Sequence, residues 1–262
     1  MTTQDITTEA LEICFSEYEE LLKNLSEEQW GLQSLCPDWD MRGVGVHLSG
    51  IENLLLGWSP SNPEEWPPFG EMAEFEKTSS EWDNTSFIEK TRNILEERRR
   101  ELAELDETGW DTPCMTPVGA GTYGRFMNIR VFDFWVHQRD ITLPLGVETN
   151  DSGVHADIAL DEVHGSLGYI VGKKIGLPEG MSIGFRLNGG IERDMFVNVD
   201  GRAKVVDEIN SPSVELVANS TSFIMLACGR IDPEEEIRAG RISWSGNEEW
   251  GEKAARNLRF TM

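Results

Sequence analysis

Along the first half of the chain, apolar residues recur at intervals of three and four, the period of a helix with one buried face. Ile6, Leu11, Cys14, Tyr18, Leu21 and Leu22 set the first such stretch, over residues 6–24. A loop over residues 31–39 follows, and Asp40 is placed to cap a second helix over residues 41–57. A segment rich in Pro and Trp, from Trp58 to Phe69, breaks the pattern before a third helix at about 84–105. Turn residues occupy 112–124, and a fourth, more apolar helix spans about 125–141 until Pro144 and Gly146 stop it. Four helices joined by connections of unequal length predict a helical bundle.

The pattern changes after about residue 150. Residues 154–175 still read as a helix, but short alternating runs then appear at 181–187, 195–199, 203–206 and 214–217. Gly189-Gly190 and Asp200-Gly201 separate some of these runs, and the second pair predicts a hairpin. Helices are expected at 221–229 and 248–258, with a strand at 241–244. Strands mixed with flanking helices predict a small α+β domain, which divides the chain into residues 1–150 and 151–262.

Composition narrows the class. The chain has 262 residues, with 39% hydrophobic and 27% charged, as in a soluble globular protein with room for two cores. Its start lacks a basic and apolar leader, and no stretch reaches the ~18 apolar residues of a membrane span, so a cytoplasmic protein is expected. The net charge of −24, from 47 acidic and 23 basic residues, repels nucleic acid and anionic membrane, and neither is expected as a partner. Cys14, Cys36, Cys114 and Cys228 are scattered, which predicts reduced thiols held in the core.

Polar residues inside the apolar helices carry the candidate chemistry. Asp133 and His137 are four apart and project from one helix face. His47 lies among Val44, Val46, Leu48 and Ile51, where a solvated imidazole is not expected. Buried charge requires a partner or a metal. Two histidines and a carboxylate are a common ligand set for a divalent cation that leaves positions open to water or substrate. On spacing alone, a paired Asp–His core and a satisfied core histidine remain open alternatives. His155 and His164, on a more polar helix, are expected at the surface. Trp39, Trp58 and Trp135 are expected to form core or pocket walls. Arg130 is expected to support Asp133 or the fold, and Asp140 to join a hydrogen-bond network near the helix end.

Three separated segments carry a resemblance. Cys36-Pro37-Asp38-Trp39-Asp40-Met41-Arg42-Gly43-Val44-Gly45-Val46-His47-Leu48 resembles the helix-entry motif of the mycothiol-dependent maleylpyruvate isomerase family, which is related to DinB-like bundles. Residues 130–141, Arg130 to Ile141, are similar to that family's second metal motif, and residues 256–262 resemble the end of its sterol-carrier-protein-like domain. The resemblance implies a DinB-like up-down four-helix bundle over 1–150 and a small sterol-carrier-like α+β domain over 151–262. It also implies a divalent metal, typically zinc, at His47, Asp133 and His137. Mycothiol or a similar thiol would be cosubstrate, and the metal would hold it as thiolate for addition to a small electrophilic or carboxylate substrate.

Two features depart from the family pattern. Asp133 stands where the isomerase has a glutamate, and Ser245-Gly246-Asn247 where relatives often have a Gly-Asp pair. Arg230 resembles a Gly-Arg position and is the expected catalytic arginine, since a guanidinium fork matches a carboxylate. A helix C-terminal arginine that counters the dipole is its alternative role. The leading expectation is a thiol-dependent isomerase or thiol transferase, monomeric or homodimeric. The alternatives are a non-catalytic, metal-stabilised small-ligand-binding protein and a metal-dependent hydrolase.

Overall fold

The computed structural model describes residues 2–260 and divides the chain into two compact units, Met1–Glu148 and Thr149–Met262. Thr261 and Met262, the last residues of the third resembling segment, lie outside the described residues, as does Met1.

The first unit is built on four helices: α1 (Thr3–Asn24), α2 (Met41–Leu55), α4 (Asn84–Glu104) and α6 (Tyr123–Leu145). Helices α1 and α2 each pack against both α4 and α6, so the four stand at the corners of a square. Phe134 from α6 meets Phe15 and Tyr18 from α1 edge-on, with ring centroids 5.2 and 5.5 Å apart. The predicted cap is present, since the Asp40 carboxylate accepts from the Gly43 amide at 2.7 Å. Helix α6 runs past Pro144 and ends at Gly146, which adopts φ +63°.

Parts of this unit differ from the sequence expectation. The Pro/Trp-rich connection is followed by a short helix, α3 (Met72–Ser79), which buries Phe75. A one-turn helix, α5 (Glu107–Trp110), follows α4. The turn-rich stretch contains a small antiparallel hairpin of β1 (Pro113–Thr116) and β2 (Gly119–Thr122). Tertiary pairing forms these elements, because Gly119-Ala120-Gly121-Thr122 has little strand preference of its own.

The second unit starts with α7 (Val154–Tyr169), which continues through wider π-helical turns over Ile170–Ile175. Among its described residues are β3 (Ser182–Asn188), β4 (Arg193–Asp200), β5 (Arg202–Val206), β6 (Val214–Asn219) and β7 (Ile242–Gly246). They form one sheet in the order β5-β4-β3-β6-β7, parallel at β3–β6 and antiparallel elsewhere. The predicted hairpin joins β4 to β5 through Gly201, whose φ of +66° suits glycine. Alternation sets the two faces: Ile183, Phe185, Met195, Val197, Val214 and Leu216 are buried on one, while Arg186, Asp194 and Glu215 pair on the other. Helices α8 (Ser220–Ala227), α9 (Pro233–Arg238) and α10 (Glu248–Arg256) complete the unit, α9 being absent from the sequence expectation.

His155 is a correction to that expectation. It is 1% exposed, because it sits in the first turn of α7 with its Nε2 turned back to the Asn150 carbonyl at 3.1 Å.

Candidate functional site

Helix α2 supplies His47, and α6 supplies Asp133 and His137. His47 Nε2 is 3.0 Å from Asp133 Oδ2, and His137 Nε2 is 3.3 Å from Asp133 Oδ1. The two imidazole centroids are 4.8 Å apart. The three side chains offer ligand atoms within 4.8 Å of one another and form a group able to hold a metal ion. The helical spacing accounts for this meeting: one turn of α6 stacks His137 over Asp133, and α2 packs beside α6.

Neighbouring groups orient the histidines. His137 Nδ1 lies 2.8 Å from Asp140 Oδ2, and a carboxylate can only accept there. Nδ1 therefore carries a proton, and Nε2 is the ring nitrogen that faces Asp133. Trp39 stacks on His47 at 4.9 Å with 29° between planes and lies 5.7 Å from His137, walling the site as expected of it. The main chain supports this wall, since the Leu35 amide donates to the Asp140 carbonyl at 3.0 Å.

The charges at the site are strongly coupled. Burial by itself would raise the Asp133 carboxyl, but His47, Arg130 and His137 outweigh it and hold that carboxyl well below the usual range. Burial by itself would lower His137, but the Asp133 charge and hydrogen bonds to Asp133, Asp140 and Cys36 hold it well above an ordinary histidine.

Arg230 lies in the second unit, just beyond α8. Its amide donates to the Met225 carbonyl at 2.9 Å, and its Nη1 donates to the Cys228 carbonyl at 3.3 Å. Cys36 corrects another expectation. Cys14, Cys114 and Cys228 are buried, but Cys36 is half-exposed on the loop before α2, in a second potential ligand cluster with His137 and Asp140. The Cys36-Pro37 turn before a capped helix places it there instead of in the core.

Glu52 and Arg98 were not apparent as site residues. Glu52 accepts from Arg130 Nε at 2.9 Å and from Arg98 Nε at 3.0 Å, with all three side chains buried. The available signal was an acid within the apolar run Ile51-Glu52-Asn53-Leu54-Leu55.

Fold and site define a two-unit protein whose helical bundle gathers two imidazoles and a carboxylate around one point. Residues 11–142, half of the chain, match the family described as the mycothiol maleylpyruvate isomerase N-terminal domain. The chain belongs to this family. A crystal structure of the mycothiol-dependent maleylpyruvate isomerase is similar at 15% identity and a TM-score of 0.65, covering 99% of this chain and 98% of that one. A histidine-to-alanine mutant of the mycothiol-dependent maleylpyruvate isomerase is similar at 14% identity and a TM-score of 0.63, with the same coverage. At these identities the likeness concerns the fold. No curated protein sequence matches the chain. No helix among the described residues is long and apolar enough to cross a membrane.

Proposed function

We propose that this protein is a divalent-metal-dependent isomerase or thiol transferase that uses mycothiol or a related low-molecular-weight thiol. The observation that carries this reading is the convergence of His47, Asp133 and His137, in a chain of the maleylpyruvate isomerase family. The donor set fits a borderline cation such as Zn2+: two imidazole nitrogens and one carboxylate oxygen, fewer donors than a closed structural site uses. With the cation bound, the site gains a Lewis acid able to keep a thiol ionised at neutral pH.

The chain's own residues prepare that site. Asp140 keeps the His137 proton on Nδ1, so that Nε2 serves as donor atom. Trp39 covers one face of His47 and restricts water there. Asp133 offers one negative charge, which leaves the site cationic once a divalent ion is held and favours a thiolate or a carboxylate substrate.

The test is elemental analysis of the purified protein beside His47→Ala and His137→Ala, followed by incubation with mycothiol and maleylpyruvate. Near-stoichiometric metal in the parent, its loss in both variants and thiol-dependent isomerisation or conjugation are expected. Full metal retention in both variants refutes the site, and thiol-independent turnover refutes the thiol role.

A further inference from the structure

The polar network that reaches Asp133 is larger than a ligand set needs. Arg130, one turn before Asp133 on α6, donates from Nη1 to Asp133 Oδ2 and from Nε to Glu52 Oε1. Glu52, on α2, accepts with its other oxygen from Arg98 Nε of α4. Arg98 in turn donates from Nη1 to Glu101 at 2.7 Å and from Nη2 to the Tyr123 hydroxyl at 3.0 Å. Acidic and basic groups thus alternate from Glu101, 30% exposed, through a dry interior to Asp133.

Stability does not require such a chain. Buried ion pairs are expensive to desolvate, and apolar side chains of similar volume often serve the fold as well or better. What the chain does achieve is orientation. The Arg130 guanidinium is planar, and Glu52 holds its Nε edge, so the plane cannot turn. Asp133 has only two side-chain torsions. A fixed donor on Oδ2 therefore also fixes Oδ1, the oxygen 3.3 Å from His137 Nε2.

We propose that Arg130, braced by Glu52, is a positioning residue that aims Asp133 for capture of a divalent cation together with His47 and His137. The inference rests on the metal reading above and adds a residue that does not itself touch the metal.

The sign of the effect separates positioning from simple electrostatics. On charge alone, removing a guanidinium from beside the site makes the carboxylate a better ligand and tightens cation binding. Loss of orientation weakens it, typically by about 10–100-fold for a supporting residue. The experiment compares Zn2+ affinity, by competition with a chromophoric chelator, and Co2+ absorption bands in the full-length protein and three variants. Arg130→Gln is expected to lose about 10-fold or more in affinity and to shift the Co2+ bands. Arg130→Lys, which keeps charge without the fork, is expected to do the same, and it serves if the glutamine variant fails to fold. Arg98→Gln, one link further from Asp133, is expected to lose thermal stability while keeping affinity and spectrum.

Unchanged or tighter binding in folded Arg130 variants overturns the proposal. So does an equal loss in Arg98→Gln, which would mark a general effect of stability. A parent protein that binds neither ion overturns the metal reading itself, and this inference with it, before any variant is compared.

Discussion

Replacing Glu52 by leucine tests the energetic reading of the first unit most directly. The side chain is 1% exposed and is shared by two buried guanidiniums, at 3.0 Å from Arg98 Nε and 2.9 Å from Arg130 Nε. Leucine fills similar space, so the loss is dominated by buried charge left without its partner, about 3–5 kcal/mol for one broken pair. Arg98 keeps Glu101 and Tyr123, and Arg130 keeps Asp133, so the expected loss stays within that range and does not double. With a urea slope of about 2 kcal/mol per molar, the unfolding midpoint should fall by about 2 M. Tryptophan fluorescence reports on this unit, which holds Trp30, Trp39, Trp58, Trp66, Trp82, Trp110 and Trp135, against Trp244 and Trp250 in the other. Glu52→Leu combined with Arg98→Met and Arg130→Met should recover much of the loss, because neither guanidinium that Glu52 paired is then left buried without it. A single-variant loss below about 1 kcal/mol, the scale of an ordinary substitution, would refute the view that Glu52 is the keystone of the network.

Two further predictions concern the second unit. Gly246→Ala should destabilise it by about 1–3 kcal/mol, read as a lower midpoint for Trp244 and Trp250 fluorescence. Gly246 has φ +84°, and an added Cβ would stand 2.6 Å from the Ser213 carbonyl oxygen; a neutral result would show that the β7 end relaxes freely. Glu236 is 5% exposed; burial acts to raise its carboxyl, but hydrogen bonds from Arg241 and Ser222 and the Arg241 charge outweigh that and lower it. A carboxyl with a depressed folded value contributes stability that is present above its unfolded pKa and is lost as pH falls through the folded value. The melting-temperature gap between the parent and Glu236→Gln should therefore be full at neutral pH and close in acid, and a gap that widens in acid would contradict this sign.

Local pattern made part of the site legible and concealed the rest. His47, Asp133 and His137 stood out because each interrupts an apolar helical period, and that period also says which way a side chain points. Arg130 stood out less, because an arginine at a helix turn is ordinary until its partner is known. Its partner Glu52 is 78 residues away, and Arg98 is 46 residues from Glu52, on a helix that reads as merely charged along one side. The hairpin β1–β2 was hidden for a related reason: its strands are four residues long and hold together through each other, not through their own preference. His155 shows the converse error, in which a polar helix suggested exposure although one turn back toward Asn150 was enough to bury the ring. The same distinction bears on the reaction. A polar residue in an apolar helix announces that something must compensate it, and in this fold Asp133 has two kinds of compensation at once. In the proposed reading the histidines share it with a cation, whereas the bond from Arg130 is made without one. A carboxylate that is already paired does not need a metal for its stability. Metal capture at Asp133 is therefore expected to be reversible without unfolding, so that chelation removes the ion and leaves the bundle's helical circular dichroism intact. Loss of helical signal on chelation would instead place the ion among the structural elements of the bundle.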